Sequence, residues 1–460
     1  MRITNFFILL FCVTFSTIAQ TDLKKVTIND LKQAVHPKDS TASAAVLFDQ
    51  GELTFNFDSG WYYTLKSTTR IKIYNQDGYD QANIKIPFYK GKTRAQEEEI
   101  SDLEAKIYNI ENDEITETEI DKKDIFEEEV SEVFSQVKFT FPKVKDGSII
   151  EYSYEYTSPH INSLPTWSFQ QDIPVVFSEI KLIFPDKFLN YKPVFRGFHN
   201  VETNESIKSG NITVRSSQNI GSSSQANLDT EIKTVIHKAS DIPKIVGESY
   251  VNNISNYLTS VKYELVAYRG FSLTSPRKFL NVTWEDVIKA LYKSSNFGDK
   301  LEDQRYYKDD IQPLIANSKT PIEKMNAIFN FVKNKVEWNG ESRLYASDKL
   351  KNIYKNGKGN SADINLMLTS MLQYANLDAK PLISSTISNG IPFSPTLTGL
   401  NYVTARVKIG EDTYLLDATN KYTKPNMLPR RALNWNGIIA SEAGVYKDIN
   451  LMPTSLSKIN

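Results

Sequence analysis

Gly357-Lys358-Gly359-Asn360-Ser361-Ala362-Asp363, followed without a break by Ile364-Asn365-Leu366-Met367-Leu368-Thr369-Ser370-Met371-Leu372, is the stretch that decides how the chain folds. Two glycines give a turn, Asn360 or Ser361 can cap the helix that follows, and Asp363 falls in its first turn, where a carboxylate suits the positive end of the helix dipole. The helix runs from Ser361 to about Tyr374 and is apolar on most of its surface, so it is expected to be buried. Backbone N–H groups and the dipole at such a helix start stabilise an anionic nucleophile, a cysteine thiolate above all. In this chain the residue delivered there is Ser361.

The flanking segments set the class of the second half. Upstream, Thr283-Trp284-Glu285-Asp286 opens a helix carrying Val287, Ile288 and Leu291 on one face. Thr320-Pro321-Ile322-Glu323 opens another, with Thr320 as N-cap, Pro321 at the first helical position and Glu323 closing a capping box. Ile322, Met325, Phe329, Val332 and Val336 follow at helical spacing. Downstream, Ala379-Lys380-Pro381-Leu382-Ile383 reads as a strand, as does Tyr402 to Ile409, which turns at Gly410-Glu411-Asp412 into Tyr414 to Thr419. Amphipathic helix, buried helix, then antiparallel strands is an α+β core.

Before Pro243 the pattern is β. Trp61 to Tyr74 alternates β-branched and aromatic residues with Lys and Arg up to a turn at Gln76-Asp77-Gly78. Val137 to Phe141 and Ile149 to Tyr156 flank the turn signal Lys145-Asp146-Gly147 and read as a hairpin. The acidic stretch Glu97 to Glu132 has no D-x-D-x-D-G spacing and reads as a solvated face rather than a calcium site. Gly210 to Asp229 reads as a loop or an exposed hairpin tip. Strands with turns at regular intervals predict an antiparallel β-sandwich. Tyr152, Tyr154 and Tyr156 are explained by sheet packing before a carbohydrate platform need be invoked. All four histidines, His36, His160, His199 and His237, precede residue 238, and their separations match no zinc pattern, so no metal and no cofactor is expected.

Composition narrows the function classes. The 460 residues are too many for one core, and a formal charge of −1 leaves no basic excess to recruit nucleic acid or anionic lipid. Arg2, the apolar stretch Phe6 to Phe15 and Thr17-Ile18-Ala19 read as a secretory signal peptide, with no transmembrane segment after Gln20. The only cysteine, Cys12, lies inside that leader, so the exported chain has no disulfide, no zinc–cysteine site and no cysteine nucleophile.

With these motifs in hand, residues from about 275 to 447 resemble the transglutaminase-like (papain-superfamily) domain. Ile328-Phe329-Asn330-Phe331-Val332, Gly359-Asn360-Ser361, Asn376-Leu377-Asp378-Ala379 and Leu415-Leu416-Asp417-Ala418-Thr419 carry the resemblance. The preceding sandwich resembles the domain of unknown function DUF3857, often found ahead of it in exported proteins of Bacteroidetes. The implied organisation is a signal peptide at 1–20, a polar adapter at 21–43, a sandwich at 44–242, a connecting segment at 243–275, a transglutaminase-like domain at 276–447 and a tail at 448–460.

The resemblance also implies a site. In that family a cysteine follows the glycine turn, a histidine opens the next strand and an aspartate lies in the strand after it; cysteine attacks an amide carbonyl, histidine shuttles the proton and aspartate orients the histidine. These positions fall on Ser361, on Tyr402 or its neighbour Asn401, and on Asp417. No histidine follows residue 237 to serve Ser361 as a base, and Lys358 is the one serine-lysine partner to weigh, with a solvated loop lysine as the plainer role. The expected protein is exported to the periplasm or cell surface and is non-catalytic. It acts in binding or assembly, with a cleft for a peptide, protein or glycan segment. The alternative is an amide-bond hydrolase or acyltransferase that uses Ser361 as an unorthodox nucleophile.

Overall fold

A computed structural model describes residues 25–452 except 59, 92, 132, 218–222, 250, 271–274, 281–282, 393 and 397–398. The expected signal peptide and the end of the tail lie outside these residues. After a short helix α1 (Ile28–Lys32), closed by a Thr27–Asp30 capping box, the chain enters a long run of strands. These are β1 (Ala44–Asp58), β2 (Trp61–Ile73), β3 (Asn83–Tyr89), β4 (Glu99–Glu111), β5 (Glu114–Glu119), β6 (Phe126–Ser131) and β7 (Phe134–Thr140). Then come β8 (Ile149–Ser158), β9 (Trp167–Ser168), β10 (Val175–Pro185), β11 (Leu189–Arg196), β12 (Glu202–Ser217), β13 (Ser223–Ile242), β14 (Ser260–Tyr268) and β15 (Lys278–Phe279).

One large sheet runs β10-β13-β12-β1-β2-β8-β4-β5 and is covered by two smaller ones, β3-β7-β6 and β11-β14-β15, with β9 on β14. The sandwich is antiparallel except along β1, which pairs in parallel with β10 and, at its end, with β12. Alternation along β2 aims Trp61, Tyr63, Leu65, Ile71 and Ile73 into the core, where they meet Phe184 of the same sheet and Phe139, Tyr191 and Val261 from the other layers. The stretch 243–275 carries β14, whose pairing with β11 ties it to this first unit.

Three local expectations change. Val137–Phe141 and Ile149–Tyr156 do not form a hairpin: β7 pairs with β3 and β6, whereas β8 pairs with β2 and β4. The intervening turn moves the chain from one layer to the other, so the two strands stack, with Phe139 edge-on to Tyr152 at 6.1 Å between ring centroids. Residues 210–217 and 223–229 are not a loop but the paired arms of one long hairpin, β12–β13, and 218–222 lie outside the described residues. Glu323 reaches past its cap to accept from the Lys319 N–H at 2.7 Å, although Thr320 caps the helix as expected.

The second half is α+β. Helices α2 (Trp284–Tyr292), α3 (Gly298–Glu302), α4 (Lys308–Asn317) and α5 (Pro321–Lys335) lead to a two-residue ladder of β16 (Glu337–Trp338) with β17 (Lys358–Gly359), interrupted by α6 (Leu350–Asn356). Helix α7 (Ser361–Tyr374) follows, and then β18 (Asp378–Ser384), β19 (Tyr402–Ile409), β20 (Asp412–Leu416), β21 (Asn436–Ala440) and β22 (Tyr446–Asn450), in sheet order β20-β19-β18-β21-β22. Every residue of α7 from Ser361 to Leu372 is buried, between the other helices and β18–β19. The units meet where the loop after β18 docks on the first: Arg196 Nη2 donates to Ile391 O at 2.7 Å and Asn253 Nδ2 to Ile387 O at 2.7 Å.

Lys72 is the first unit's least expected core residue. It is fully buried, its Nζ donates to Leu31 O at 2.7 Å and to Gly147 O at 2.6 Å, and burial pushes its ammonium down to about 8. From there up to the ordinary 10.5, the unfolded chain holds a proton that the folded chain has released, so stability rises with pH across that window. Urea unfolding across the window is expected to move the stability difference between wild type and Lys72→Met toward the wild type as pH rises. A flat difference would show that Lys72 is not folded as a buried amine.

Candidate functional site

The glycine turn works by two different physical means. Gly357 closes α6 in the left-handed region at φ 73°, and Gly359 leaves room where a Cβ would come within 2.8 Å of Ile353 and 2.9 Å of Asp363. The chain then enters α7 at Asn360, which is the N-cap: its Oδ1 accepts from the Asp363 N–H at 2.8 Å and its own N–H donates to Asp363 Oδ2 at 2.9 Å. Ser361 is thereby the first residue of the helix rather than its cap.

A strap, residues 339–347, crosses this helix start and is fastened at alternate residues. Asn339 N donates to Gly359 O at 2.9 Å and Ser361 N to Glu341 O at 3.1 Å. Ser361 Oγ accepts from Arg343 N at 2.9 Å and donates to Arg343 O at 3.0 Å. Asn360 Nδ2 donates to Tyr345 O at 3.2 Å, and Ser347 donates through N and Oγ to the two oxygens of Asp363 at 2.9 and 2.7 Å. Between these points Leu344 and Ala346 pack into the core. Burial pushes the Asp363 carboxyl up, opposed by these hydrogen bonds, and with three donors on it Asp363 serves as a clasp. Ser361 is 0 % exposed.

One helical turn further on, Asn365 joins α7 to the sheet. Its Nδ2 donates to Val403 O at 2.8 Å and to Asp417 Oδ1 at 3.3 Å, and its Oδ1 accepts from the Ala418 N–H at 2.9 Å. Residues four apart share a helix face, so Ser361 points to the same side as Asn365 and the Asp417 cluster. There Tyr402, at the start of β19, donates from Oη to Asp417 Oδ2 at 2.8 Å, while Thr419 donates to Asp417 Oδ1 from N at 2.9 Å and from Oγ1 at 2.5 Å. Arg431 closes the cluster: Nε donates to Tyr402 Oη at 3.1 Å, Nη2 to Thr419 Oγ1, and its guanidinium lies 3.7 Å over the Trp338 ring. Tyr402 and Asp417 are both 0 % exposed, and burial, then the Asp417 charge, hold the phenol far above its ordinary range. It is a proton donor to Asp417 and not a base.

Tyr402, not Asn401, therefore faces Asp417; the Asn401 amide turns to Thr386, accepting from its N–H at 2.8 Å. Lys358 is exposed, and the two bonds of the Ser361 hydroxyl go to the Arg343 main chain. The histidines have separate local partners: His36 takes the Asp39 N–H, His160 meets Gln96 O, His199 meets Gln170 and His237 meets Thr203. Among the described residues no three His, Cys, Asp or Glu side chains gather as a metal site requires. Asn365, Arg431 and Trp338 complete the cluster beyond the three positions that the sequence points to. Asn365 did carry a signal, an amide inside an apolar run one turn after Ser361.

The fold and this cluster define a β-rich domain followed by a transglutaminase-like core, and comparison with known families agrees. The domain of unknown function DUF3857 matches residues 63–220, and the transglutaminase-like superfamily matches residues 309–412, a span that contains Ser361 and Tyr402 and ends before Asp417. The chain carries a DUF3857 domain and, after it, a transglutaminase-like domain. Among solved structures, a candidate protease from Parabacteroides distasonis superposes with a TM-score of 0.56 at 12 % identity, over 89 % of this chain and 72 % of that one. That likeness establishes a shared fold. A candidate cysteine protease from Cytophaga hutchinsonii, also 12 % identical, covers 60 % of this chain and 84 % of its own, at a TM-score of 0.23 that carries no argument. No curated protein matches.

Tyr402→Phe would leave Asp417 Oδ2 and Arg431 Nε without the phenol oxygen in a buried cluster. Chemical denaturation is expected to show a loss of about 1–3 kcal/mol, with non-additive coupling to Asp417→Asn. A change within experimental error would mean that the phenol is not part of the load.

Proposed function

We propose that this is an exported, non-catalytic transglutaminase-like protein that acts by binding or assembly at the cell envelope. Ser361, Tyr402 and Asp417 occupy the positions of a nucleophile, base and orienting acid. The observation that carries the proposal is the state of Ser361: it is fully buried, and its hydroxyl both accepts from and donates to the main chain of Arg343. A nucleophile must lose its proton to a base and reach a carbonyl. Here both bonds to the strap would have to break first, and the residue in the base position is a phenol that keeps its proton and donates a hydrogen bond to Asp417. The same parts suit a brace that keeps a binding domain rigid.

Export is supported by the leader pattern at 1–20 and by a chain free of cysteine after Cys12. No helix among the described residues is long and apolar enough to cross a membrane. A peptide, protein or glycan remains the expected partner.

The proposal is tested with the chain from residue 21 onward, assayed for amide hydrolysis and transamidation on peptides and peptidoglycan fragments beside Ser361→Ala. No turnover by either folded protein is expected, and turnover abolished in Ser361→Ala would overturn the proposal. In Ser361→Cys the new thiol is the only one in that chain. It is expected to resist a thiol reagent under native conditions and to react once unfolded. Free-thiol reactivity in the native state would mean that the strap opens and that chemistry at this position must be reconsidered.

A further inference from the structure

The inner face of the large sheet is mostly apolar; His237 and Ser158 interrupt it toward its margins, each with a partner in Thr203 or Glu98, and a larger polar patch lies at its centre. In the register of four adjacent strands, Ser178 of β10, Asp49 of β1, Thr69 of β2 and Tyr152 of β8 form one row. Ile180, Gly51, Ser67 and Tyr154 form the next. On β2 this polar pair is flanked by Leu65 on one side and Ile71 on the other, both in the core. An eight-stranded sheet has no packing reason to place a carboxylate at the centre of its inner face.

The polar rows form the floor of a cleft of about 440 Å³ between the two covering sheets. Its walls include Tyr152, Tyr154 and Trp167, and Asp80 and Lys85 lie at its exposed mouth. Asp49 is 8 % exposed and accepts one hydrogen bond among the described residues, from Thr69 Oγ1 at 2.9 Å. No Lys, Arg or His stands within ion-pair distance of it among the described residues. Trp167 is held in place by its Nε1 bond to Ser178 Oγ at 3.0 Å. Gly51 leaves the space in which the Trp167 ring sits, since a Cβ there would come within 2.7 Å of it.

We propose that this cleft binds an organic cation, an alkylammonium or guanidinium head group, with Asp49 as its counter-ion and the Tyr152, Tyr154 and Trp167 rings as its walls. A buried carboxylate with one neutral donor and no cation of its own is completed by a ligand that brings the charge. Aromatic faces favour the same guest over an anion. The cleft size suits a side chain or small amine rather than a folded partner. The assignment stands on the first domain alone and does not depend on the catalytic state of the second.

Burial pushes the Asp49 carboxyl up to about 7, so cation binding tightens as pH rises past that point and releases protons there. Of the other groups lining the cleft, Tyr152 and Tyr154 stay neutral, their phenols raised by burial, and Asp80 and Lys85 lie at its exposed mouth.

Calorimetry on the chain from residue 21 onward tests the assignment with n-butylammonium, with Nα-acetyl-lysine and Nα-acetyl-arginine methylamides, and with the neutral norleucine analogue and a methyl glucoside as controls. The cations are expected to bind with Kd of about a millimolar, as suits so few atoms. Binding is expected to be stronger at pH 8 than at pH 6 and to fall at least about tenfold in Asp49→Asn, the size of one lost charge-assisted contact. Preference for the blocked amino acids over butylammonium would identify a peptide side chain as the source of the cation, and the reverse a free amine. The assignment is overturned if no cation binds at pH 8, if Asp49→Asn binds as well as wild type with its near-ultraviolet dichroism intact, or if the glucoside binds in preference to every cation.

Discussion

The amide of Asn365 is the joint on which the second domain closes. A helix buried along twelve consecutive residues can carry a polar side chain only if every donor and acceptor on it is met, and Asn365 meets Val403 O, the Ala418 N–H and Asp417 at once. One side chain thereby sets the height of α7 over β19 and over the end of β20. At the helix start Asp363 does the same work in the other direction, holding the strap by two bonds to Ser347. Between those two fixed points there is little freedom left for Ser361, whose hydroxyl takes the Arg343 main chain as its partner on both sides.

The chemistry that a cleft of this kind can support depends on what can ionise in it. A thiol beside an imidazole shares a proton near neutral pH, because their ordinary ranges lie close together. A serine hydroxyl and a phenol do not, and the phenol here is held further from ionising by burial and by the neighbouring carboxylate. The Tyr402 hydroxyl donates to Asp417 in a hydrogen bond that is strong because one partner is charged and both are dry. Arg431, stacked on Trp338, neutralises the cluster and fills the space above it. The same geometry that would align a catalytic dyad thus becomes a cross-brace between strands and loop.

The first domain follows the opposite rule on one patch of its surface. Its core is continuous and aromatic, with Phe55 stacked on Tyr191 and Tyr63 on Tyr156, yet at the centre of the same face the side chains turn polar and the covering sheets part. Lys72 is buried too, but its two carbonyl partners complete it within the chain. Among the described residues Asp49 has only Thr69, and the difference between these two buried groups separates a structural one from one that faces outward for its partner.

Local signals in the sequence determined much of this architecture. The glycine turn, the Asn360 and Thr320 caps and the apolar run after Ser361 located the helices, because capping and amphipathicity act within a few residues. Alternation located β2 and β8, and the missing cysteine and histidine in the second half were plain from composition. Tertiary structure alone decided which strands pair: a good turn signal between Phe141 and Ile149 suggested a hairpin, yet β7 went to β3 and β6 and β8 to β2 and β4 in another sheet. It also decided that Ser361 is closed over by Arg343, that Arg431 stands against Tyr402, and that Asp49, Thr69 and Tyr152 share a row. These contacts join residues far apart along the chain, and nothing in the local pattern at either end records that the other end will be there.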